Sequence, residues 1–186
     1  MAASEAGEKK NFLVTGAPGV GKTTLVHNLC KQLGSFNPEG FYTEEIREGG
    51  VRKGFALVSL DGKRSVLSHV NVRSPRRVGK YGVDVKSFEA FLDSLQLKGT
   101  AGPLIVVDEI GKMECFSAAF VSLVRELLHG AGVVVATVAL KGPDFISEVK
   151  RRGDVLIYEV TERNRDRLAQ RLSVQVQAAI RNRGES

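Results

Sequence analysis

The chain has 186 residues and a formal net charge of +6, with 42% hydrophobic and 26% charged residues. These values suit one globular domain with a full core, and no apolar run approaches the roughly 18 residues needed to cross a bilayer. The two cysteines, Cys30 and Cys115, offer neither a disulfide framework nor metal-ligand spacing. The composition therefore excludes membrane-spanning and disulfide-stapled classes, and we expect a reduced, cytoplasmic protein.

The first ten residues are small, polar and charged, and they lack the pattern of a signal or transit peptide. We expect residues 1–10 to form a disordered tail. Residues 11–186 are then expected to form a single domain, because two independent domains would be cramped in this length.

Positive charge is concentrated between residues 47 and 86, where ten basic residues occur against three acidic ones. Such a segment could bind nucleic acid, steer a nucleotide by its field, or simply be a solvated surface. Aromatic residues do not alternate with these charges as stacking platforms would require. A nucleic-acid partner is therefore possible but not favoured.

Apolar periodicity predicts strands that alternate with helices over most of the chain. Between residues 40 and 82, turn-linked strands instead predict an antiparallel β-meander, with 74–82 as a basic loop. The β-branched run at 104–107 indicates a central parallel strand covered on both faces. The predicted fold class is α/β, a mostly parallel sheet with helices on both faces and an inserted meander. The predicted strands are 11–15, 40–47, 54–60, 65–68, 104–107, 133–136 and 154–160, and the predicted helices are 22–33, 85–95 (ended by Lys98-Gly99), 117–129, 143–152 and 161–183.

A glycine-rich loop follows the first predicted strand and opens the first predicted helix. In this context backbone N–H groups and the helix dipole favour an anion, and glycines let the backbone approach a phosphate closely. We expect Lys22 to reach the β- and γ-phosphates and the Thr23 hydroxyl to ligate Mg²⁺, so the loop predicts a nucleoside triphosphate ligand. The residues that fit the pattern G-x-x-x-x-G-K-[ST] are Gly16, Ala17, Pro18, Gly19, Val20, Gly21, Lys22 and Thr23.

Two carboxylates end the apolar run at 104–107, at the edge where ligands of open α/β sheets bind. We expect Asp108 to hold Mg²⁺ opposite Thr23, and Glu109 to orient and polarise a water for attack on the γ-phosphorus. Asp108-Glu109-Ile110-Gly111 also fits the D-x-x-G pattern of regulatory GTPases, but no N-K-x-D guanine reader follows. We therefore interpret the two acids as the second half of a hydrolytic site.

Further polar residues are candidates that each have a structural alternative. Lys112 could supply positive charge to the γ-phosphate, or it could be solvated. Thr137 could sense the γ-phosphate from a neighbouring strand, although a hydroxyl at the edge of the core is the plainer interpretation. Arg163-Asn164-Arg165, at the start of the last predicted helix, could stack an arginine on a base or form a surface cap.

Five blocks of the sequence together resemble one known family. They are G-A-P-G-V-G-K-T-T at 16–24, F-Y-T-E-E-I-R at 41–47, R-V-G-K-Y-G-V-D at 77–84, V-D-E-I-G-K-M-E at 107–114 and T-E-R-N-R at 161–165. On these blocks the chain is similar, from about residue 11 to residue 170, to the small P-loop nucleoside-triphosphatase family that includes the cancer-related nucleoside-triphosphatase and its thermophile relatives. The resemblance implies a RecA-like P-loop fold, slow Mg²⁺-dependent hydrolysis of several nucleoside triphosphates to diphosphate and phosphate, and a monomer or loose oligomer.

The resemblance also implies a set of site residues. Glu109, Lys22 and Lys112 would be catalytic, with Glu114 beside them, and Thr23 and Asp108 would hold the metal. The nucleotide-binding set would comprise the loop at 16–23 together with Thr24, Val106, Val107, Asp108, Glu109, Ile110 and Gly111.

Hydrolysis is preferred over two alternatives. A nucleotide or nucleoside kinase would need a lid, and the basic segment at 47–86 could be one. A non-catalytic, nucleotide-dependent RNA-binding module could use the same segment. Glu109 beside Asp108 favours hydrolysis, because a switch needs no built-in group that polarises water. No motif predicts which base is bound.

Overall fold

Nine strands join in one sheet in the computed structural model, which describes residues 9–97 and 102–184. In chain order they are β1 (Asn11–Gly16), β2 (Glu39–Glu48), β3 (Val51–Ser59), β4 (Arg64–His69), β5 (Arg77–Val78), β6 (Tyr81–Val83), β7 (Leu104–Ile110), β8 (Val133–Val138) and β9 (Val155–Val160). Across the sheet the order is β5–β6–β4–β3–β2–β7–β8–β1–β9. In this sheet order, the five strands β2, β7, β8, β1 and β9 are parallel to one another, as the alternation of strands and helices predicts.

The helices are α1 (Lys22–Gln32), α2 (Val85–Leu95), α3 (Ala118–His129), α4 (Asp144–Lys150) and α5 (Arg165–Gly184). Side chains cap two of them: Asp84 accepts a hydrogen bond from the Ser87 N–H at 3.0 Å, as predicted, and Ser117 accepts one from the Phe120 N–H at 3.0 Å. Within the described ranges, none of the helices combines the length and the apolar character that a membrane span requires.

The parallel strands separate two cores, one on each face of the sheet. Leu13 of β1 belongs to the core formed with α2, α3 and α4, where Phe41 meets Phe88 and Phe120 edge-on. The residues on either side of Leu13 belong to the opposite core, formed with the apolar stripes of α1 and α5. Cover on both faces explains why these strands are continuous apolar runs, and it confirms the predicted fold class.

The predicted meander is present, and it extends the parallel sheet. β2 is parallel to β7, pairing Phe41 with Val107, and antiparallel to β3, so it joins the two halves. β3, β4, β6 and β5 follow as successive antiparallel pairs, and we call these four strands the antiparallel extension. Because they are hydrogen-bonded into the sheet, the basic segment of the sequence is fixed beside the parallel strands.

The expectation of a loop throughout 74–82 is wrong. Arg77–Val78 and Tyr81–Val83 pair as an antiparallel hairpin. Gly79, with a φ of 57°, provides the left-handed residue that such a tight turn needs. Strands of two and three residues are too short to show an apolar period, so the sequence pattern could not reveal them.

The last helix begins at Arg165 rather than at the expected residue 161. The side chain of Asn164 holds the preceding residues in a turn. Its Oδ1 accepts a hydrogen bond from the Thr161 N–H at 2.8 Å, and its Nδ2 donates to the Glu159 carbonyl at 2.9 Å. Asparagine competes in this way with helical backbone hydrogen bonds, which delays the start of the helix.

Parts of two predictions lie outside the described residues: 1–8 of the tail, and Lys98-Gly99 after α2. At the end of the predicted tail, Lys10 is buried and its ammonium group donates to the carbonyl of Gly130. α2 is followed by Gln96 in the left-handed region, with a φ of 52°.

Candidate active site

The glycine loop joins β1 to α1 at the carboxyl edge of the parallel strands. Gly16 must lack a side chain, because a Cβ there would lie 2.7 Å from the carbonyl oxygen of Val160 on β9. Gly21 precedes α1 with a φ of 104°, a conformation that glycine adopts with least strain. No side chain of the described residues caps the N-terminus of α1. Its first N–H groups are therefore open to another acceptor, such as a phosphate.

Lys22 folds back over the loop toward the end of β7. Its Nζ donates to the carbonyl oxygens of Gly16 at 3.2 Å and Ala17 at 3.4 Å. The same Nζ lies 3.8 Å from Oε2 of Glu109, and only 10% of the Lys22 side chain is exposed. The ammonium group is thus held between the loop and the end of the central strand.

Asp108 is fully buried at the meeting point of α1, β2, β7 and β8. The Thr23 hydroxyl donates to its Oδ2 at 2.8 Å, and the backbone N–H and hydroxyl of Thr43 lie 3.4 Å from the same oxygen. The Thr137 hydroxyl donates to Oδ1. Within the described residues no Lys, Arg or His forms an ion pair with this carboxylate. Asp108 is therefore a buried carboxyl group that hydroxyl groups surround and that has no cationic partner in the described part of the protein.

Glu109 and Glu114 converge on Gly111. A Cβ on Gly111 would lie 2.8 Å from Oε1 of Glu109 and 2.8 Å from Oε2 of Glu114, so a side chain at this position would displace both carboxyl groups. Glu114 is buried in the short 3-10 turn that follows β7, whereas 32% of the Glu109 side chain is exposed. The site therefore has one carboxyl group open to solvent and a second one behind it.

Burial raises the pKa of both glutamates above its usual value. For Glu109, the ammonium group of Lys22 opposes this rise and the carboxylate of Asp108 reinforces it. For Glu114, burial raises the pKa to about 8, backbone N–H groups act against the rise, and the negative charges of Glu109 and Asp108 add to it. With a pKa of about 8, Glu114 is mostly protonated at neutral pH.

Other predicted site residues lie apart from this cluster. Val106 and Val107 are buried in the two cores on opposite faces of the sheet, and Ile110 is fully buried as well. Lys112 is exposed and makes no hydrogen bond or ion pair within 9–97 and 102–184. The structure thus brings the loop, Asp108 and Glu109 together, and it leaves Lys112 at the surface beside them.

Sequence reasoning gives no role to Thr43, and it links Thr137 to a phosphate rather than to Asp108. Both hydroxyls face Asp108 because β2 and β8 flank β7, and apolar periodicity does not encode that strand order. A local signal for Thr43 is its position inside the family-specific block at 41–47.

Together, these features define a class of protein. A glycine loop between a parallel strand and a helix faces an aspartate on β7, which lies beyond β8 in the same sheet, and the helix threonine is hydrogen-bonded to that aspartate. This is the arrangement of P-loop nucleotide-binding proteins.

Comparison with known proteins agrees with this class. The family model described as NTPase matches residues 11–173, and the chain therefore belongs to that family. Nucleoside-triphosphatase THEP1 of Thermotoga sp. (strain RQ2) is 44% identical over 158 residues, which cover 84% of this chain and 90% of that protein. The cancer-related nucleoside-triphosphatase of Homo sapiens is 41% identical over 175 residues, covering 86% of this chain and 92% of that protein.

Two solved structures share the fold. The crystal structure of THEP1 from Aquifex aeolicus has a TM-score of 0.79 at 36% identity and covers 87% of this chain and 96% of that one. The solution structure of the human cancer-related nucleoside triphosphatase also has a TM-score of 0.79, at 39% identity, and covers 91% of this chain and 98% of that one. The agreement extends over the sheet and its helices, and it supports the P-loop NTPase fold.

Proposed function

We propose that the protein hydrolyses the terminal phosphoanhydride bond of nucleoside triphosphates to nucleoside diphosphate and phosphate, in a Mg²⁺-dependent reaction that accepts several bases. The observation that carries the proposal is a pair of contacts across the loop. Thr23 lies 2.8 Å from Asp108, and Lys22 lies 3.8 Å from Glu109. The names of the relatives, which are nucleoside-triphosphatases, support the same reaction.

The donor set around Asp108 suits Mg²⁺. A carboxylate and hydroxyls are hard oxygen donors, and Mg²⁺ with a bound triphosphate needs only one or two protein ligands, because phosphates and waters complete its shell. The buried Asp108 has no cationic partner in the described part of the chain, and a buried charge requires one. We propose Thr23 and Asp108 as the residues that hold the ion. When bound, Mg²⁺ would neutralise charge on the β- and γ-phosphates.

The remaining residues of the proposed site position phosphate and water. The N–H groups of the loop and the ammonium group of Lys22 hold the β- and γ-phosphates. Glu109, part-exposed at the edge of the sheet, accepts a hydrogen bond from the attacking water and orients it toward the γ-phosphorus. Lys112 is exposed and held by no partner among the described residues, so it can turn toward the γ-phosphate when nucleotide binds.

The kinase alternative receives less support from the fold. A kinase excludes water by closing a lid over two substrates. The basic segment that could form such a lid is hydrogen-bonded into the sheet through β3, β4 and β6. A fixed extension of the sheet, together with a carboxylate that faces the loop, is better suited to hydrolysis.

The proposal is tested by phosphate release from ATP and Mg²⁺, measured without and with a nucleoside monophosphate acceptor. We expect release without the acceptor, and we expect chelation of the metal to abolish it. Transfer to the acceptor, with no release in its absence, would contradict the proposal and favour a kinase. Comparable rates with GTP, CTP and UTP are expected, and a rate confined to one base would limit the proposal to that nucleotide.

We further infer that residues 11–186 act as one domain, as a monomer or loose oligomer in the cytoplasm, without a membrane partner, and we do not favour a nucleic-acid partner. The first strand, β1, the last strand, β9, and the strands of the insert share one sheet. Both cysteines are free thiols. Light scattering of the purified protein tests the oligomeric state, because a tight, concentration-independent assembly would contradict it.

A further inference from the structure

The strands on the two sides of the glycine loop carry different residues, and this difference sets the direction of a bound triphosphate. In the sheet, β8 and β7 lie on one side of β1, and β9 lies on the other. Asp108 and Glu109, proposed to hold the metal and the water, lie near the carboxyl end of β7. Because the γ-phosphate must face them, the nucleoside end of the same molecule lies toward the opposite side, above the end of β9.

The chain that follows β9 is anchored close to the loop. Gly16 pairs with Val160 in parallel register, at a separation that excludes a side chain on Gly16. Asn164 then fixes the turn that leads into α5. α5 is held against α1 by apolar residues that share one core, namely Leu25, Leu29, Leu168 and Leu172. The first residue of α5 is therefore presented to the loop by a rigid support.

That first residue is Arg165, and its side chain lies against the loop. Its Cδ and Nη1 are each 3.8 Å from the position that a Cβ would take on Gly21. Arg165 is exposed, and its guanidinium group makes no hydrogen bond or ion pair among the described residues. The guanidinium group of Arg165, a planar cation with no partner among the described residues, thus borders the glycine loop on the side of β9, where the nucleoside would lie.

The neighbouring Asn164 is committed to holding the turn before α5. Both ends of its carboxamide are engaged, with the N–H of Thr161 and the carbonyl of Glu159. Discrimination between bases requires hydrogen bonds to their edges. A guanidinium group that lies flat on a base directs its N–H groups within its own plane, away from the edges of that base.

We propose that Arg165 binds the nucleoside by lying flat on the face of the base. The inference rests on the proposed function, which sets the direction of the triphosphate along the loop. Every base has a π-face that a guanidinium plane can cover, so this contact adds affinity for every base, somewhat more for the larger purines, and recognises no base by its edge. Arg165 would thereby account for the broad base tolerance of the site.

The test compares ligands with and without a base, by titration calorimetry in Mg²⁺. The ligands are the non-hydrolysable β,γ-imido analogues of ATP and CTP, and inorganic tripolyphosphate. Arg165→Ala is expected to weaken both analogues, by about tenfold for the purine and less for the smaller pyrimidine, and to leave tripolyphosphate unchanged. Arg165→Tyr, which restores a flat face without charge, is expected to recover most of the lost affinity, and Arg165→Lys is not.

Arg167→Ala is the matched control, since Arg167 is an exposed arginine of the same helix, two residues further along. It is expected to bind all three ligands as the wild type does. An equal loss of tripolyphosphate affinity in Arg165→Ala would show a phosphate contact and overturn the proposal, as would unchanged binding of every ligand or recovery by Lys but not by Tyr. These readouts measure binding, so a wild type that binds the analogues but releases no phosphate from ATP would defeat the proposed hydrolysis alone.

Discussion

The carboxyl edge of the parallel strands and the antiparallel extension both carry many charged residues, but these residues differ in burial and in ion pairing. In β2 and the extension, four basic side chains that are 45–57% exposed pair with exposed acids; the pairs are Arg47–Glu45, Arg52–Glu45, Lys63–Asp61 and Arg64–Glu44. At the carboxyl edge Asp108 and Glu114 are buried, and within the described residues neither has a cationic partner.

We infer from this difference that burial without a counter-charge marks the candidate active site better than charge density does. Exposed ion pairs contribute little to stability, so the extension gains little from its many charges. A buried carboxylate without a cation destabilises the free protein and is retained where a ligand supplies the missing charge. The predictions below test whether the two regions differ in this way.

The largest effect is expected at Asp108. Asp108→Asn keeps the shape but removes the charge that we propose to hold Mg²⁺, so kcat for ATP should fall by on the order of 10³ or more. Because the amide no longer buries a charge, thermal unfolding of the nucleotide-free variant should occur at the wild-type temperature or above it. A variant that is both active and destabilised would show that Asp108 is a structural residue.

A smaller effect, on stability, is expected at Glu114. Its pKa is raised from 4.5 to about 8 in the folded protein, so its contribution to stability is complete below pH 4.5 and is lost as the pH rises through about 8. Urea unfolding of the wild type should therefore show a free energy that declines between pH 6 and pH 8.5 by on the order of a few kcal/mol.

Glu114→Gln should remove most of that decline, because the amide does not ionise. Glu126→Gln, on the exposed face of α3, is the control and should keep the wild-type pH dependence. If the free energy of unfolding of Glu114→Gln declines with pH as steeply as that of the wild type, another group is responsible for the decline.

Lys112→Ala should lower kcat by about tenfold without changing the free energy of unfolding, since one exposed cation near the γ-phosphate is removed and no packed contact is lost. Steady-state phosphate release and urea unfolding give the two values. Turnover equal to that of the wild type would show that Lys112 is a solvated surface residue without a role in catalysis.

The smallest effect is expected in the antiparallel extension. Arg64 and Glu44 form an ion pair at 2.5 Å, with 57% and 40% of their side chains exposed. Arg64→Ala should cost less than about 1 kcal/mol in urea unfolding and leave kcat unchanged. A larger loss of stability, or a loss of turnover, would mean that the extension supports the site more directly than its exposure indicates.

Much of the fold was accessible from the sequence because it depends on local patterns. The strand, loop and helix at 11–33 carry their own signals, and the apolar run that ends at Asp108 indicates a buried parallel strand. The hairpin within 74–82 was missed because its strands are too short to show a period. The start of α5 was misplaced because a single side chain, that of Asn164, decides it.

The candidate site was predictable only in part. The pairing of Thr23 with Asp108 follows from a motif and a strand end, but the two threonines of β2 and β8 that also face Asp108 depend on strand order. The charge count between 47 and 86 was incomplete for a similar reason. The acids Glu44 and Glu45, which pair with three of its arginines, lie just before that segment and reach Arg52 and Arg64 only through strand pairing.

The central claim, that the carboxyl edge of the sheet hydrolyses nucleoside triphosphates through a water held by Glu109, is tested most directly by Glu109→Gln. Phosphate release from saturating ATP and Mg²⁺, with no acceptor present, would be measured beside the affinity for a non-hydrolysable ATP analogue. We predict wild-type affinity and a kcat lower by on the order of 10² or more, the range for a positioned general base. Unchanged turnover with unchanged affinity would contradict the claim.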